Sequence, residues 1–264
     1  TEGATFTYGD LGPDIDKVVL EDISLSIVPG TFVCIYGPTG SGKSSLLRAI
    51  GGEVAIVTGK VETQGRIAYA PQQPFIMNAT VRDNILFGNL FDEQRYRKVI
   101  DACELQKDLS SMTAGDKTRI GEKGVNISGG QKQRIGLARA AYAYTDIVLL
   151  DDVLSAVDAN VGYRILKNCI SGVLKARTVV LATHHMQMTS EVADHVVLLE
   201  EGRIMRQGSP SDLEDLFSDG HEREGERRTV IKSVDSEKGV AFKNEENADE
   251  SFEDESRESG AHGM

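Results

Sequence analysis

The sequence predicts an α/β fold built on a parallel core sheet. Two observations carry the prediction. From Thr31 onward, apolar runs of strand length alternate with segments of helical period, the pattern of βαβ units. A chain of 264 residues is also long enough for one large domain or two small ones. Thr31–Tyr36, Ile147–Leu150, Thr178–Ala182 and His195–Leu199 read as buried strands. Ahead of and between these, Val18–Val28 and Thr58–Tyr69 read as short strands of an antiparallel sheet. From Asn78 to Lys117 the period turns helical. Within Asp92–Cys103, the residues Tyr96, Val99, Ile100 and Cys103 form a core stripe, and Arg95, Arg97 and Lys98 are expected in solvent. Gln131–Ala140 reads as a further helix. A last helix starts at Ser209, with Ser209 as N-cap, Pro210 at the first position and Asp212 at the third.

The segment Gly37-Pro-Thr-Gly-Ser-Gly-Lys-Ser44 meets the pattern G-x-x-x-x-G-K-[ST] at every fixed position, directly after the strand Thr31–Tyr36. Each part answers a chemical need. Glycines let the backbone turn tightly so that successive N–H groups face phosphate oxygens, and Gly40 and Gly42 leave no side chain in the way. A helix beginning near Lys43 turns its positive end to the same place. Lys43 is expected to reach the β- and γ-phosphates, and the Ser44 hydroxyl is a natural magnesium ligand. The loop thus proposes Gly37, Pro38, Thr39, Gly40, Ser41, Gly42, Lys43, Ser44 and the adjoining Ser45 as nucleotide contacts. Downstream stand Ile127-Ser-Gly-Gly-Gln131 and an apolar run ending in Asp151-Asp152. The three motifs together predict ATP.

In these motifs the chain resembles the nucleotide-binding domain of an ABC transporter, over about Thr5 to Phe217. The resemblance implies a P-loop NTPase core with a parallel sheet, an antiparallel β-subdomain and an α-helical subdomain inserted at about residues 78–145. Ile127–Gln131 is similar to the family's signature sequence, with Ile for the commoner Leu. The resemblance implies that Ser128, Gly129, Gly130 and Gln131 close over the nucleotide of a second domain in a head-to-tail dimer. Asp151 resembles the Walker B carboxylate that binds magnesium through water. Gln72 resembles the Q-loop glutamine, which senses magnesium and contacts the membrane domain. Ser155–Asp158 resembles the D-loop and His184 the switch histidine that meets the γ-phosphate. The neighbouring His185 would point elsewhere after a strand. Tyr8 matches the aromatic residue that stacks on adenine, a contact of about 1–3 kcal/mol by analogy with base stacking.

One position departs from the hydrolytic pattern. Asp152 stands where the family usually has the Glu that polarises the attacking water. Basicity hardly separates the two acids, whose reference pKa values of about 3.9 and 4.3 differ by ~0.5 kcal/mol. Reach does separate them: a retreat of about 1 Å can cost on the order of 100-fold in rate. The expectation is a site that binds ATP well and hydrolyses it slowly. Tyr69–Met77, Val81–Gly88, Ile120–Asn126 and Asp151–Asp158 resemble the first nucleotide-binding domain of a C-subfamily, multidrug-resistance-associated exporter. The resemblance implies unequal ATP sites, with the degenerate one on this domain's Walker motifs. Glu122 sits where such exporters carry an acid that meets the coupling helices of the membrane domains.

No run approaches the ~20 apolar residues that span a bilayer, and Thr1–Ala4 lacks a basic region and apolar core, so direct membrane insertion is not expected. The resemblance places the domain on the cytoplasmic face of a membrane, as a segment of a longer transporter. Cys34, Cys103 and Cys169 lack metal-ligand spacing and read as packing residues. From about residue 218 the character changes. Asp219–Met264 holds 14 acidic and 7 basic residues, more than half of the formal net charge of −12, and its few aliphatics predict a disordered linker. Ser233, Ser236, Ser251 and Ser256 are candidate phosphorylation sites there. An acidic balance argues against nucleic acid as a partner.

Three functions are compatible with these motifs. The first is the ATP-binding domain of an exporter of organic anions, drugs or thiol conjugates. The second is a domain that gates or regulates a channel. The third, a soluble ABC-type ATPase, is disfavoured by the Glu122 segment and the acidic charge.

Overall fold

The computed structural model describes residues 1–8, 18–122 and 124–214. The acidic segment from Asp219 and its candidate phosphorylation sites lie outside the described residues. Two sheets organise the rest. The antiparallel one joins β1 (Glu2–Thr7), β2 (Val18–Ile23) and β4 (Ala55–Lys60) in the order β2-β1-β4. The larger one contains β3 (Phe32–Tyr36), β5 (Ile67–Ala70), β6 (Ile147–Asp151), β7 (Thr178–Ala182), β8 (His195–Glu200) and β9 (Arg203–Gly208). Its order is β5-β6-β7-β3-β8-β9, parallel except for the β8–β9 pair.

β3 is wholly buried because both sheet faces are covered, which explains its unbroken apolar run. One face packs α1 (Lys43–Ile50) and the antiparallel sheet through Leu46, Leu47, Phe6, Leu20 and Val180. The opposite face carries Cys34, Leu150 and Leu181 against helices. Those expected between Asn78 and Lys117 are α2 (Val81–Leu86), α3 (Glu93–Ala102) and α4 (Gln106–Ser111); α5 (Gly129–Tyr142) follows. Then come α6 (Ala159–Ile165), a π-helical stretch at Leu166–Val173, and α7 (Met186–Ser190). All three cysteines are free and buried, as expected of packing residues, and the Cys103 and Cys169 thiols meet at 3.6 Å between α3 and the π-helical stretch.

Four expectations are corrected. Thr58–Tyr69 is not one strand of the antiparallel sheet: β4 ends at Lys60, and Ile67–Ala70 pairs in parallel with β6. The chain turns at Gly65, whose φ is +115°, and Arg66 then donates its N–H to the Asp146 carboxylate at 2.8 Å, delivering β5 to the larger sheet. Val18–Val28 is a strand only to Ile23, where Asp22 takes a left-handed φ of +52°. The core stripe of α3 is buried as read, but Arg95 does not face solvent alone. Its guanidinium donates to the carbonyls of Tyr142 and Ala143, both at 2.9 Å, closing the C-terminal end of α5. The last helix is a short 3₁₀ turn, Pro210–Leu213, with the expected Ser209–Asp212 capping box.

Candidate nucleotide site

The loop between β3 and α1 is shaped by two different uses of glycine. A Cβ on Gly37 would lie 2.0 Å from the Leu199 carbonyl oxygen on β8, so only glycine fits there. Gly40, with φ +84°, would place a Cβ in open space, which leaves that face of the loop free for a bulky ligand. Pro38, Thr39 and Gly40 are exposed, whereas the Ser41 side chain is buried with its hydroxyl unpartnered. Gly42 caps α1 with no side-chain hydrogen bond, and the first turn of the helix carries no acidic residue of its own.

Lys43 folds back over this loop. Its Nζ donates to the carbonyls of Gly37 and Pro38 at 2.7 and 2.8 Å. Burial pulls the ammonium below its usual pKa, with the charges of Asp152 and Asp151 opposing the shift. At the next residue, the Ser44 hydroxyl donates to Oδ1 of Asp151 at 2.9 Å, bringing α1 and the end of β6 together. Tyr8 reaches the same helix: its Oη donates to Ser45 Oγ at 3.1 Å, and its ring is half exposed.

Asp152 follows β6 in a left-handed conformation, φ +50°, with its N–H donated to the Ala182 carbonyl at 2.9 Å. Its carboxylate is met from two sides. Gln72 Nε2 donates to Oδ2 at 3.2 Å. His184 Nδ1 stands 3.2 Å from Oδ1, within ion-pair reach but not aligned as a hydrogen bond. The three residues expected to act in hydrolysis therefore converge. His185 is a correction. Its ring lies against that of His184, tilted by 39° with centroids 4.0 Å apart, because β7 ends at Ala182 and strand alternation no longer governs the pair.

Ser128 caps α5 in a reciprocal box with Gln131: Gln131 N–H donates to Ser128 Oγ at 3.2 Å and Ser128 N–H to Gln131 Oε1 at 2.8 Å. Gly129 presents open space, and Gly130 lies against the Ala156 carbonyl, 2.8 Å from where its Cβ would sit. The contacts of this segment run to Asp108 on α4, which accepts from Gln131 Nε2 at 3.0 Å, and to Ala156, rather than to Gly37–Ser45. Glu122 is exposed.

The profile of the ABC transporter family matches residues 20–155. The chain belongs to the ABC transporter family. It is 49% identical over 199 residues to ATP-binding cassette sub-family C member 2 of Homo sapiens, covering 75% of this chain and 13% of that protein. It is 47% identical over 192 residues to multidrug resistance protein mrp-7 of Caenorhabditis elegans, covering 72% and 12%. ABC transporter C family member 9 of Arabidopsis thaliana matches at 44% over 201 residues, 76% and 13%. The chain spans 12% to 23% of the length of the curated relatives it matches.

Two residues of this ABC domain escaped sequence reasoning. Gln133, buried in α5, donates to the Gln72 carbonyl at 3.3 Å and to Ser155 Oγ at 3.2 Å, and accepts from the Ala156 N–H at 3.1 Å. It ties the Gln72 loop and the Ser155–Asp158 loop to the helix that Ser128 caps. Tyr69 donates its hydroxyl to Oδ2 of Asp151 at 2.9 Å. The parallel register accounts for the contact: Tyr69 pairs with Leu149, two residues before Asp151 on the same face of β6.

Among the described residues, no helix is long and apolar enough to cross a membrane.

Proposed function

We propose that this chain is the first ATP-binding domain of a C-subfamily exporter, and that it holds magnesium-ATP in the loop Gly37–Ser45. The carrying observation is the 2.9 Å bond from Ser44 to Asp151, which puts one hydroxyl and one carboxylate side by side next to the open glycine loop. That donor set fits magnesium, a hard cation that takes a few protein oxygens and fills its octahedron with water and phosphate oxygens. Magnesium, when bound, neutralises charge on the phosphate oxygens.

On this reading Lys43 exchanges its two carbonyl partners for phosphate oxygens, and the uncapped N–H groups of α1 receive the same anion. Tyr8 offers its half-exposed ring to adenine. Asp152, held by Gln72 and near His184, is the group that would accept a proton from an attacking water. Its short side chain keeps the carboxylate close to β6, so this domain's own site turns over slowly. Ser128 and Gly129, both exposed, form with the partly buried Gly130 a donor edge for the nucleotide of a second ATP-binding domain, and the exposed Glu122 would meet the coupling helices of the membrane domains. Domain closure around ATP would then drive export of organic anions, drugs or thiol conjugates, with residues 1–217 as the domain and the acidic segment beyond as a linker. The domain would lie on the cytoplasmic face of its membrane.

The test is ATP affinity and turnover of this chain, alone and mixed with the second ATP-binding domain of the same transporter. Tight magnesium-dependent binding with little turnover alone, rising on mixing, supports the assignment. Brisk turnover by the chain alone overturns the slow-site reading, and absence of ATP binding overturns the whole.

A further inference from the structure

Asp151 and Asp152 are consecutive carboxylates, and both are engaged by one short segment. Tyr69, in β5, donates to Asp151 Oδ2 at 2.9 Å, and Gln72, just past the end of β5, donates to Asp152 Oδ2 at 3.2 Å. Asp151 is only 4% exposed and its second oxygen accepts from Ser44 at 2.9 Å. A buried carboxylate gripped at one oxygen from α1 and at the other from β5 has one orientation open to it.

The aromatic ring gives Tyr69 its reach. β5 lies beside β6 in parallel register, with Tyr69 opposite Leu149 and Ala70 opposite Leu150. A shorter hydroxyl side chain at position 69 would stop beside Leu149. The phenol extends along the same face to the next residue of that face, Asp151. Burial and the Asp151 charge push the phenol pKa up to about 12, with the Arg48 guanidinium pulling the other way.

We propose that Tyr69 is a positioning residue for the metal-binding carboxylate: through its hydroxyl it fixes Asp151 in the orientation that receives magnesium, and it links that orientation to the segment bearing Gln72. This rests on the assignment of Asp151 to magnesium-ATP made above. The effect belongs to metal-dependent nucleotide binding, because the Tyr69 hydroxyl donates to the carboxylate of the Ser44–Asp151 pair, while Arg48, the other side chain that reaches the phenol, lies in the last turn of α1.

The experiment is Tyr69→Phe, which removes one oxygen and keeps the ring. ATP affinity is measured by calorimetry for both proteins, in magnesium and again in EDTA, alongside the thermal midpoint without nucleotide. The expected result is an affinity loss of about tenfold in magnesium, the scale of one hydrogen bond to a charged group, with affinity in EDTA unchanged. Equal loss in both conditions would mean a general structural role and overturn the proposal. An unchanged or raised affinity in magnesium would overturn it as well. If the wild-type protein itself gains no ATP affinity from magnesium, the parent assignment of the site fails, an outcome distinct from a wild-type gain that Tyr69→Phe leaves intact.

Discussion

Asp108 on α4 receives both Nε and Nη2 of Arg134 on α5, at 3.1 and 2.7 Å, and the two side chains are only 15% and 16% exposed. Because Asp108 also accepts from Gln131, it aligns the first turns of α5 and with them the exposed Ser128–Gly129 edge. Replacing Asp108 by Ala strands a mostly buried guanidinium, and a loss of about 2–3 kcal/mol in urea unfolding is expected. Asp108→Ala combined with Arg134→Met should recover most of it. If the double variant is no more stable than the single one, the ion pair is not the cause.

Asp152→Glu has two opposed effects. Lengthening the acid should raise turnover in the assembly with the second ATP-binding domain, on the order of 10- to 100-fold. The same substitution should lower thermal stability by about 1 kcal/mol, since position 152 has φ +50° and Asp tolerates that left-handed conformation better than Glu. Steady-state ATPase rates and a thermal melt on one preparation check both signs.

Two glycines of one loop should respond differently to the same change. Gly37→Ala sets a methyl 2.0 Å from the Leu199 carbonyl oxygen and is expected to cost about 3 kcal/mol of folding stability. Gly40→Ala meets nothing within 4 Å, so the cost is limited to its left-handed φ of +84°, about 1 kcal/mol. ATP affinity should nonetheless fall in Gly40→Ala, because the added methyl stands on the open face. Urea titration and calorimetry on the two variants separate the outcomes.

His185 gives a pH dependence whose sign is fixed. Burial lowers its pKa below the ordinary value, the neighbouring His184 lowers it further, and Asp152 opposes them. The folded state thus favours neutral His185, and the unfolded chain binds the proton first. This contribution to stability is full above the unfolded value of about 6.5 and declines as pH falls through it toward the lower folded value. Melting temperatures at pH 7.5 and 5.5 should therefore converge more closely in His185→Gln than in wild type. An equal or wider gap in the variant contradicts the assignment.

The buried strands, the glycine loop and the capping box at Ser209 were legible because each is written in a local pattern: an apolar run, fixed glycines, a Ser three residues before Asp. Residues 67–70 were misplaced because a strand's sheet partner is a long-range choice, made here by Asp146 catching Arg66 and by pairing with β6. Arg95 and Gln133 were missed for a related reason. Their hydrogen bonds run to carbonyls and N–H groups of other segments, and no periodicity marks a side chain for such a partner. His185 shows where the alternation rule stops, at the last paired residue of β7.

The position of β3 in the larger sheet bears on biosynthesis. The strand that leads into the glycine loop is made early, yet both of its neighbours, β7 and β8, start only at Thr178 and His195. A nascent chain emerging from the ribosome carries β3 without sheet partners until nearly the whole domain has been translated. During that interval its run of apolar residues is exposed to other chains. Substitutions near Thr178–Glu200 should consequently lower the yield of folded protein in cells even where they touch no residue of the nucleotide loop.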